Sequence, residues 1–392
     1  MKRRSIWRNY NKPYVANHSI EWIQSGEKYY DKLVEIIGTA QTEIQLQTYI
    51  FEDDKTGRKI AKALISSAKR GVGVYVLIDA YGSQGMSDEL LKSMTDAGIH
   101  IKKYGQLFSK GRFHIARRLH RKVLVIDGLM GVVGGINISN HYAGTGAHPA
   151  WLDFAVLVNG KIASRLELIC RRRWPGMKFP KKPKTEKKQV IREQAVLIRV
   201  RRNDFIRNQN EIAISYRQAI RQAEKSLLFV GGYFLPGGRT RRLLRNAVKR
   251  GVDVTVLVAE KSDVGIMVNA RRYLYGWLTQ NGIRVFEYKP SNVHGKVLIR
   301  DEKWCSIGSY DLNNLSTYSN IELNLDVNNS VFSESLSKHI HHIIHDESSE
   351  ITLRSTLLHR NIITRFKCWI SYRFVKILFV LSVILAGKHE EK

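Results

Sequence analysis

The chain is written twice, and that governs every fold it can adopt. Ala40–Phe51 returns as Ala223–Phe234, Lys69–Ile78 as Lys249–Val258, Gly98–Tyr104 as Gly282–Tyr288, and His120–Asp127 as His294–Asp301. The order is kept and the offsets run from 174 to 184 residues. Four ordered matches mark a tandem duplication, and such self-similarity fixes architecture before any local preference does. A duplicated chain of 392 residues is expected to fold as two like halves.

Within each copy the apolar pattern alternates between two periods. Tyr30, Leu33, Val34 and Ile37 recur as one face of a helix, whereas Ile44, Leu46 and Thr48 alternate as a strand does. Ile60, Leu64, Ile65 and Ala68 form a second helical face that should stop near Gly71. Ser87 before Asp88 and Glu89 reads as a helix N-cap. Val72–Ile78 is an apolar run, the mark of a strand covered on both faces. Such alternation predicts the α/β class: two α/β/α halves, each with a mixed, mostly parallel sheet, packed about a pseudo-twofold axis with the active site between them. The expected boundaries are 20–175 for the first half, 176–195 for a basic linker, 196–348 for the second half and 349–392 for a basic, apolar C-terminal segment. Lys178–Lys188, dense in Lys and Pro, makes the linker an exposed basic stretch.

Sixty-four Lys and Arg against 35 Asp and Glu leave a formal charge of +29. That surplus predicts a polyanionic partner, nucleic acid or an anionic membrane surface, and charge alone does not choose. A hydrophobic share of 43% excludes a disordered or fibrous chain. Cys170, Cys305 and Cys368 lie far apart, which argues against a disulfide framework or a zinc site and for a reducing compartment. The basic stretch Met1–Arg8 has no apolar run behind it, so no signal peptide is expected. At the other end, 366–387 is apolar but interrupted by Lys367, Arg373 and Lys376. Its unbroken part, Ile377–Gly387, is about half of the ~20 residues a spanning helix needs. A buried helix, an interfacial anchor and a span stay open, the basic flanks favouring the interface. His339, His341, His342 and His345 cluster, but Ile340, Ile343 and Ile344 give that segment a packing face and no metal site is assigned.

The chemistry concentrates in the repeated H-x-K. On an extended strand residues i and i+2 share a face, so His120 sits with Lys122 and His294 with Lys296. Two halves about a pseudo-twofold axis would bring both pairs into one cleft. Two imidazoles and two ammonium groups suit an anionic tetrahedral centre such as a phosphodiester. The lysines supply point charges to non-bridging oxygens and hold the charge that grows in the transition state. One neutral imidazole attacks phosphorus, and the other, protonated, serves the leaving and entering oxygens. No metal or cofactor is required, because the ammonium groups take its electrostatic place.

The two stretches His120-x-Lys122-x4-Asp127-x6-Gly134-Gly135-x-Asn137 and His294-x-Lys296-x4-Asp301-x6-Gly308-Ser309 resemble the paired HKD motifs of the phospholipase D superfamily. More narrowly, Tyr49–Glu52, Arg70–Val72 with Asp79, and the stretch from Arg121 to Ser139 are similar to bacterial cardiolipin synthases. The resemblance covers roughly residues 20 to 345. It implies that His120 is the nucleophile and His294 the general acid and base. It also implies that Lys122, Lys296, Asn137 and Ser309 bind the phosphoryl oxygens. Asp153 and Glu322 match the family's acidic partners of the imidazoles, with Glu322 expected to hold His120 and Asp153 to hold His294. Asp127 and Asp301 complete the catalytic motif, more as structural braces than as substrate contacts. Two departures stand out. Where the family usually has Gly-Ser-x-Asn, this chain has Gly308, Ser309, Tyr310 and Asp311, with Asn313 two further on. Many cardiolipin synthases also begin with apolar membrane helices, and this chain does not.

The activity implied is a metal-independent phosphatidyl transfer between phospholipids through a phosphohistidine, with phosphatidylglycerol as donor and acceptor. The expected partners are anionic phospholipids and a membrane surface, at the cytoplasmic face of the cell membrane, peripheral or held by the C-terminal segment. The sequence gives no oligomeric state. The alternative keeps the chemistry but makes the chain a phosphodiesterase or nuclease, for which +29 would track a nucleic-acid backbone. The apolar C-terminal segment favours lipid over nucleic acid. Intact His, Lys and Asp in both motifs argue against a dead, merely binding fold.

Overall fold

The computed structural model describes residues 13–105, 108–109, 112–113, 117–174, 196–204, 209–313, 316–317, 320–358 and 361–387. The expected basic linker, 176–195, lies outside them. The first half runs β1 (Val15–Asn17), β2 (Ser19–Gln24), α1 (Glu27–Gly38), β3 (Glu43–Thr48), α2 (Lys55–Lys69), β4 (Gly73–Asp79), α3 (Asp88–Asp96) and β5 (His100–Tyr104). Two short strands, β6 (Phe108–Ser109) and β7 (Arg112–Phe113), precede β8 (Arg118–Leu119), β9 (Lys122–Ile126), β10 (Met130–Gly134), α4 (Asn140–Ala143), β11 (Phe154–Asn159) and α5 (Lys161–Arg171). The second half contains β12 (Val196–Asp204), β13 (Gln209–Asn210), α6 (Glu211–Gln222), β14 (Ser226–Gly231), α7 (Gly238–Lys249), β15 (Asp253–Ala259) and α8 (Gly265–Gln280). It continues through β16 (Arg284–Tyr288), β17 (Lys296–Arg300), β18 (Trp304–Gly308), β19 (Asn320–Asn328) and α9 (Ser330–Glu347) to β20 (Ser348–Glu350), α10 (Leu353–Leu358) and α11 (Ile362–Gly387).

Local chemistry sets several of these limits. The Asp54 carboxylate accepts from Gly57 N–H at 2.8 Å to open α2, and the Ser87 hydroxyl accepts from Leu90 N–H at 3.1 Å to open α3. Gly71, just past the end of α2, takes the left-handed φ of 90° that lets the chain leave the helix.

One sheet has the order β2-β11-β10-β9-β3-β4-β5, the other β1-β12-β19-β18-β17-β14-β15-β16-β20. The run β9-β3-β4-β5 of the first thus reappears as β17-β14-β15-β16 of the second. The two-half α/β/α architecture is as expected, but the parallel part of each sheet is narrower than the sequence suggested. Among the described strands only β3-β4-β5 and β14-β15-β16 run parallel, apart from short β8 beside β19. The strands bearing the motifs pair antiparallel on both sides. The reason is the tight reversal after each H-x-K strand. Asp127 and Gly128 have φ of 52° and 66°, Asp301 and Glu302 both 53°, the positive pair that primed hairpin turns need. A parallel neighbour would have required a helical crossover there.

Helices α1–α3 cover the outer face of the first sheet, where Leu33, Ile37, Ile60 and Leu64 meet Val74 and Val76. Helices α6–α8 cover the second, with Ile220, Leu244 and Leu274 on Val254 and Val256. Between the sheets lie α5 and α9. Their Ile162, Leu166, Leu336 and Ile340 join Val156 and Leu325 in one buried cluster drawn from both halves. The result is a helix–sheet–helix–sheet–helix stack whose central layer is shared. The chain also crosses over at its start: β1 pairs with β12 of the second sheet, while β2 pairs with β11 of the first. Near the C-terminus Ile351 N–H donates to the Val285 carbonyl, and α11 then lies along α8, with Tyr372 stacked on Tyr273 at 4.7 Å.

Candidate active site

Each half delivers its histidine on a segment bonded to the other half. The His120 N–H donates to the Ile321 carbonyl at 3.1 Å, continuing the pairing of β8 with β19. Correspondingly, the N–H groups of His294 and Gly295 donate to the Leu152 carbonyl at 2.8 and 2.9 Å. Buried Asp79, at the end of β4, steadies the first segment by accepting from Leu119 N–H at 2.9 Å. The two imidazole rings come to rest with centroids 6.4 Å apart.

Both rings are tied through Nδ1 to a fully buried carboxylate of the opposite half. His120 Nδ1 lies 3.1 Å from Glu322 Oε2, and His294 Nδ1 lies 2.7 Å from Asp153 Oδ2. Nε2 is therefore the nitrogen each ring keeps for a substrate. The sequence makes room for these acids in two ways. A Cβ at Gly135 would stand 2.4 Å from Asp153 Oδ1, so only glycine fits there. Its counterpart Ser309 instead donates its hydroxyl to Glu322 Oε2 at 2.5 Å. Lys122 and Lys296 are almost wholly buried, and each ammonium donates to the carbonyl of its own histidine, at 2.7 Å for Lys122. Lys296 Nζ also lies 3.5 Å from Asp311 Oδ2.

Burial dominates the electrostatics. It holds the His294 imidazole well below its ordinary range, and Lys296, Lys122 and His120 push the same way. It pulls the Lys122 ammonium down to about 7, opposed by Glu322 and reinforced by Lys296. It lifts the Asp153 carboxyl to about 6 against the attraction of Lys296. Burial works on Glu322 in the same sense, but His120, Lys122 and the Ser309 hydroxyl outweigh it and keep that carboxyl below its usual range. At neutral pH this is a neutral His294 donating Nδ1–H to a carboxylate, with Lys122 poised near its own titration point.

The structure thus brings His120, Lys122, His294, Lys296, Asp153 and Glu322 together. Asp127 and Asp301, expected within the catalytic motif, stand elsewhere, at the far ends of β9 and β17. Asp127 accepts from the N–H groups of Gln41, Thr42 and Glu43 and from the Thr42 hydroxyl; Asp301 accepts from those of Glu224, Lys225 and Ser226. They brace the entry of β3 and β14, so within the catalytic motif they are structural members and not groups that touch the reacting atoms. Asn137 and Ser309, expected on phosphoryl oxygens, have their side chains engaged within the protein. Asn137 accepts from Ile50 N–H at 3.1 Å and donates to the Tyr142 hydroxyl at 2.7 Å, while Ser309 serves Glu322. Both side chains are thus committed to protein partners. Asn313, too, is engaged, capping Ser316 N–H at 2.9 Å. Two aromatic neighbours lay outside the sequence reading of the site: Tyr142, edge-on to His294 at 5.3 Å, and Tyr49, 5.1 Å from His120. Tyr49 lies in a repeated stretch and was within reach of that signal; Tyr142 lies in none.

Two imidazoles, each backed by an acid from across the duplication and flanked by ammonium groups, define a two-histidine phosphoryl-transfer centre of the phospholipase D type. The family described as cardiolipin synthase, PLD-like domain, matches residues 33–147 and again 216–344, once in each half. The chain belongs to that family. Cardiolipin synthase B of Shigella flexneri is 32% identical over 353 residues, which cover 88% of this chain and 83% of that one. Cardiolipin synthase A of Pseudomonas syringae pv. syringae (strain B728a) is 31% identical over 336 residues, covering 82% and 68%. Among solved structures, the phosphatidylserine synthase of Haemophilus influenzae Rd KW20 matches with a TM-score of 0.75 over 98% of this chain and 100% of that one. At 14% identity that likeness is one of fold. The enzyme is a phosphatidyltransferase of the cardiolipin synthase type, acting on phospholipids.

Proposed function

We propose that the enzyme joins two molecules of phosphatidylglycerol, releasing glycerol, through a covalent phosphohistidine and without a metal. The observation that carries this reading is the 6.4 Å spacing of two imidazoles whose Nδ1 atoms are both held by carboxylates. Reacting atoms about 3–3.5 Å apart on either side of one phosphorus fit such a gap. In the first step His120 Nε2 attacks phosphorus, the P–O bond to glycerol breaks, and the leaving oxygen takes a proton from His294. In the second, the hydroxyl of another phosphatidylglycerol gives its proton to His294 while its oxygen attacks phosphorus and the N–P bond breaks. The groups that depress His294 include three cationic or partly cationic neighbours, so an arriving phosphodiester anion offsets them and favours the protonated imidazole the first step needs. Lys122 and Lys296 face the non-bridging oxygens. Asp153 and Glu322 fix the tautomers, as the acid of a catalytic triad does.

The second part of the proposal is peripheral binding to an anionic membrane through α11. Its Cys368, Ser371 and Val375 are buried against the body of the protein, while Phe366, Trp369, Ile370, Phe374 and Ile377 are exposed. Arg365, Lys367, Arg373 and Lys376 are exposed beside them. No helix among the described residues is long and apolar enough to cross a membrane. An apolar stripe with basic neighbours is the composition of an interfacial helix, and each basic residue near an anionic surface adds ~1 kcal/mol. Helix α11 lies along α8, where Tyr372 stacks on Tyr273, so its exposed apolar stripe is carried on the body of the second half.

The test is lipid mass spectrometry of cells gaining the protein, together with turnover of pure phosphatidylglycerol in EDTA. New cardiolipin, lost in both His120→Ala and His294→Ala, supports the proposal. Unchanged cardiolipin alongside cleavage of added DNA would overturn it in favour of the nuclease reading. A phosphatidyl group trapped on His120 in the His294→Ala enzyme would fix the order of the two histidines, and one trapped on His294 in the His120→Ala enzyme would reverse it.

A further inference from the structure

At one buried position of the motif the two halves differ in charge. Asn137 and Asp311 are counterparts, each 17 residues after the histidine of its motif. Asn137 spends both ends of its amide inside the protein, on Ile50 N–H and the Tyr142 hydroxyl. Asp311 is as deeply buried, at 3% exposure, yet its carboxyl is only half used. Oδ2 lies 3.5 Å from Lys296 Nζ, and Oδ1 has no hydrogen-bond partner among the described residues. A buried carboxylate oxygen left without a donor is unfavourable, and it points to a ligand or a proton.

The surroundings make the proton the better answer once substrate is present. The charged and titratable groups that face Asp311 are Lys296 on β17, Glu322 on β19, His120 and Lys122 from the first half, Tyr216 on α6 and Tyr233 after β14. With Asp153, the cleft holds three carboxyl groups against two ammonium groups. A phosphodiester anion adds a further negative charge beside them. Were Asp311 ionised, it would compete with the phosphoryl oxygens for Lys296; protonated, it frees Lys296 and offers a donor of its own. Burial already lifts the Asp311 carboxyl above its ordinary range, with Lys296 opposing.

We propose that Asp311 takes up a proton when a phosphodiester enters the cleft and donates it as a hydrogen bond to a non-bridging oxygen, making substrate binding proton-linked. The proposal rests on the phosphodiester chemistry described above and adds a binding residue to it. The sign follows: a group whose bound pKa exceeds its free pKa strengthens binding at low pH, and that contribution fades as pH rises above the free value.

The test compares wild type with Asp311→Asn, which keeps the volume and supplies an N–H donor at every pH. The probe is diethyl phosphate, a monoanion throughout the range whose alkoxide leaving groups are unactivated, with Kd read by calorimetry between pH 5.5 and 8.5. Lys122 loses charge over the same range in both proteins, so the ratio of the two Kd values is the readout. The ratio is expected to start near unity and to grow at least about fivefold in favour of Asp311→Asn, since one uncompensated proton is worth up to tenfold per pH unit. A ratio that stays constant with pH, whatever its value, overturns the proposal and makes Asp311 a fixed counter-ion of Lys296. Asp311→Ala, lacking any donor, should bind more weakly than Asp311→Asn at every pH; equal binding would also overturn it. Because the probe is not a lipid, a wild type that binds it but leaves phosphatidylglycerol untouched would count against the transferase reading alone.

Discussion

Replacing Asp153 with Asn tests the site at its most constrained contact. Asp153 Oδ1 accepts from its neighbour's amide, Phe154 N–H, at 2.7 Å, and Oδ2 meets His294 Nδ1, also at 2.7 Å. In Asp153→Asn the amide oxygen must stay on Phe154 N–H, because the NH2 group cannot accept. The NH2 is then aimed at His294 Nδ1 and forces the imidazole proton onto Nε2, the wrong tautomer at rest. The imidazolium also loses its charge-assisted bond. Bonds of that kind are worth about 1.5–3 kcal/mol. At 1.36 kcal/mol per decade this gives a loss in kcat of about 10- to 150-fold, before any cost of the tautomer. The assay is steady-state transfer with phosphatidylglycerol, and thermal unfolding serves as the control. Burial lifts the Asp153 carboxyl to about 6, above its unfolded value. Its contribution to stability is therefore full at low pH and lost as pH rises through about 6, so above that pH the variant should be no less stable than wild type. A kcat within twofold of wild type in stable protein would refute the orienting role of Asp153.

Other outcomes follow from the same structure. Asp127→Asn should cost about 1.5–3 kcal/mol of stability by weakening bonds to three backbone N–H groups, with kcat of the folded protein close to wild type. Burial opposes ionisation of Asp127, but those donors hold its carboxyl below the ordinary range, so this stabilisation should be present at neutral pH and vanish on acidification; melting curves between pH 3 and 7 check both points. Lys122, drawn down to about 7 by burial, should lose its charge as pH rises through that value, so kcat/KM is expected to fall above pH 7, and Lys122→Met should remove that limb at the cost of activity at pH 6. Trp369→Glu with Phe374→Glu should cut co-sedimentation with anionic vesicles more than tenfold, since each large apolar side chain is worth ~1.5–3 kcal/mol when buried, and should leave turnover of short-chain soluble lipid intact.

The sequence carried the duplication openly, because both copies still share strings such as Lys69–Val72 and Lys249–Val252. The H-x-K pairs were legible for the same reason. The pairing of His120 with Glu322 was not, since no local pattern ties residues 202 apart; that expectation came only from the likeness to a family. Strand direction was not legible, because an apolar run reveals that a strand is buried but not which way its neighbour runs. The clue lay at Asp127–Gly128, a hairpin dipeptide hidden inside a motif that reads as chemistry. The same positive-φ turns explain why Asp127 and Asp301 face the backbone and not the cleft. Asn137 looked like a ligand for phosphate because its partners, Ile50 N–H and the Tyr142 hydroxyl, are visible only after folding.

The early exchange of β1 into the second sheet, and of β8 onto β19, has a mechanical corollary. Scission of the chain anywhere between Trp174 and Val196 would not yield two independent pieces. The N-terminal fragment would still thread its first strand through its companion's sheet, and the fragments would be expected to co-purify and to remain active until a denaturant parts them.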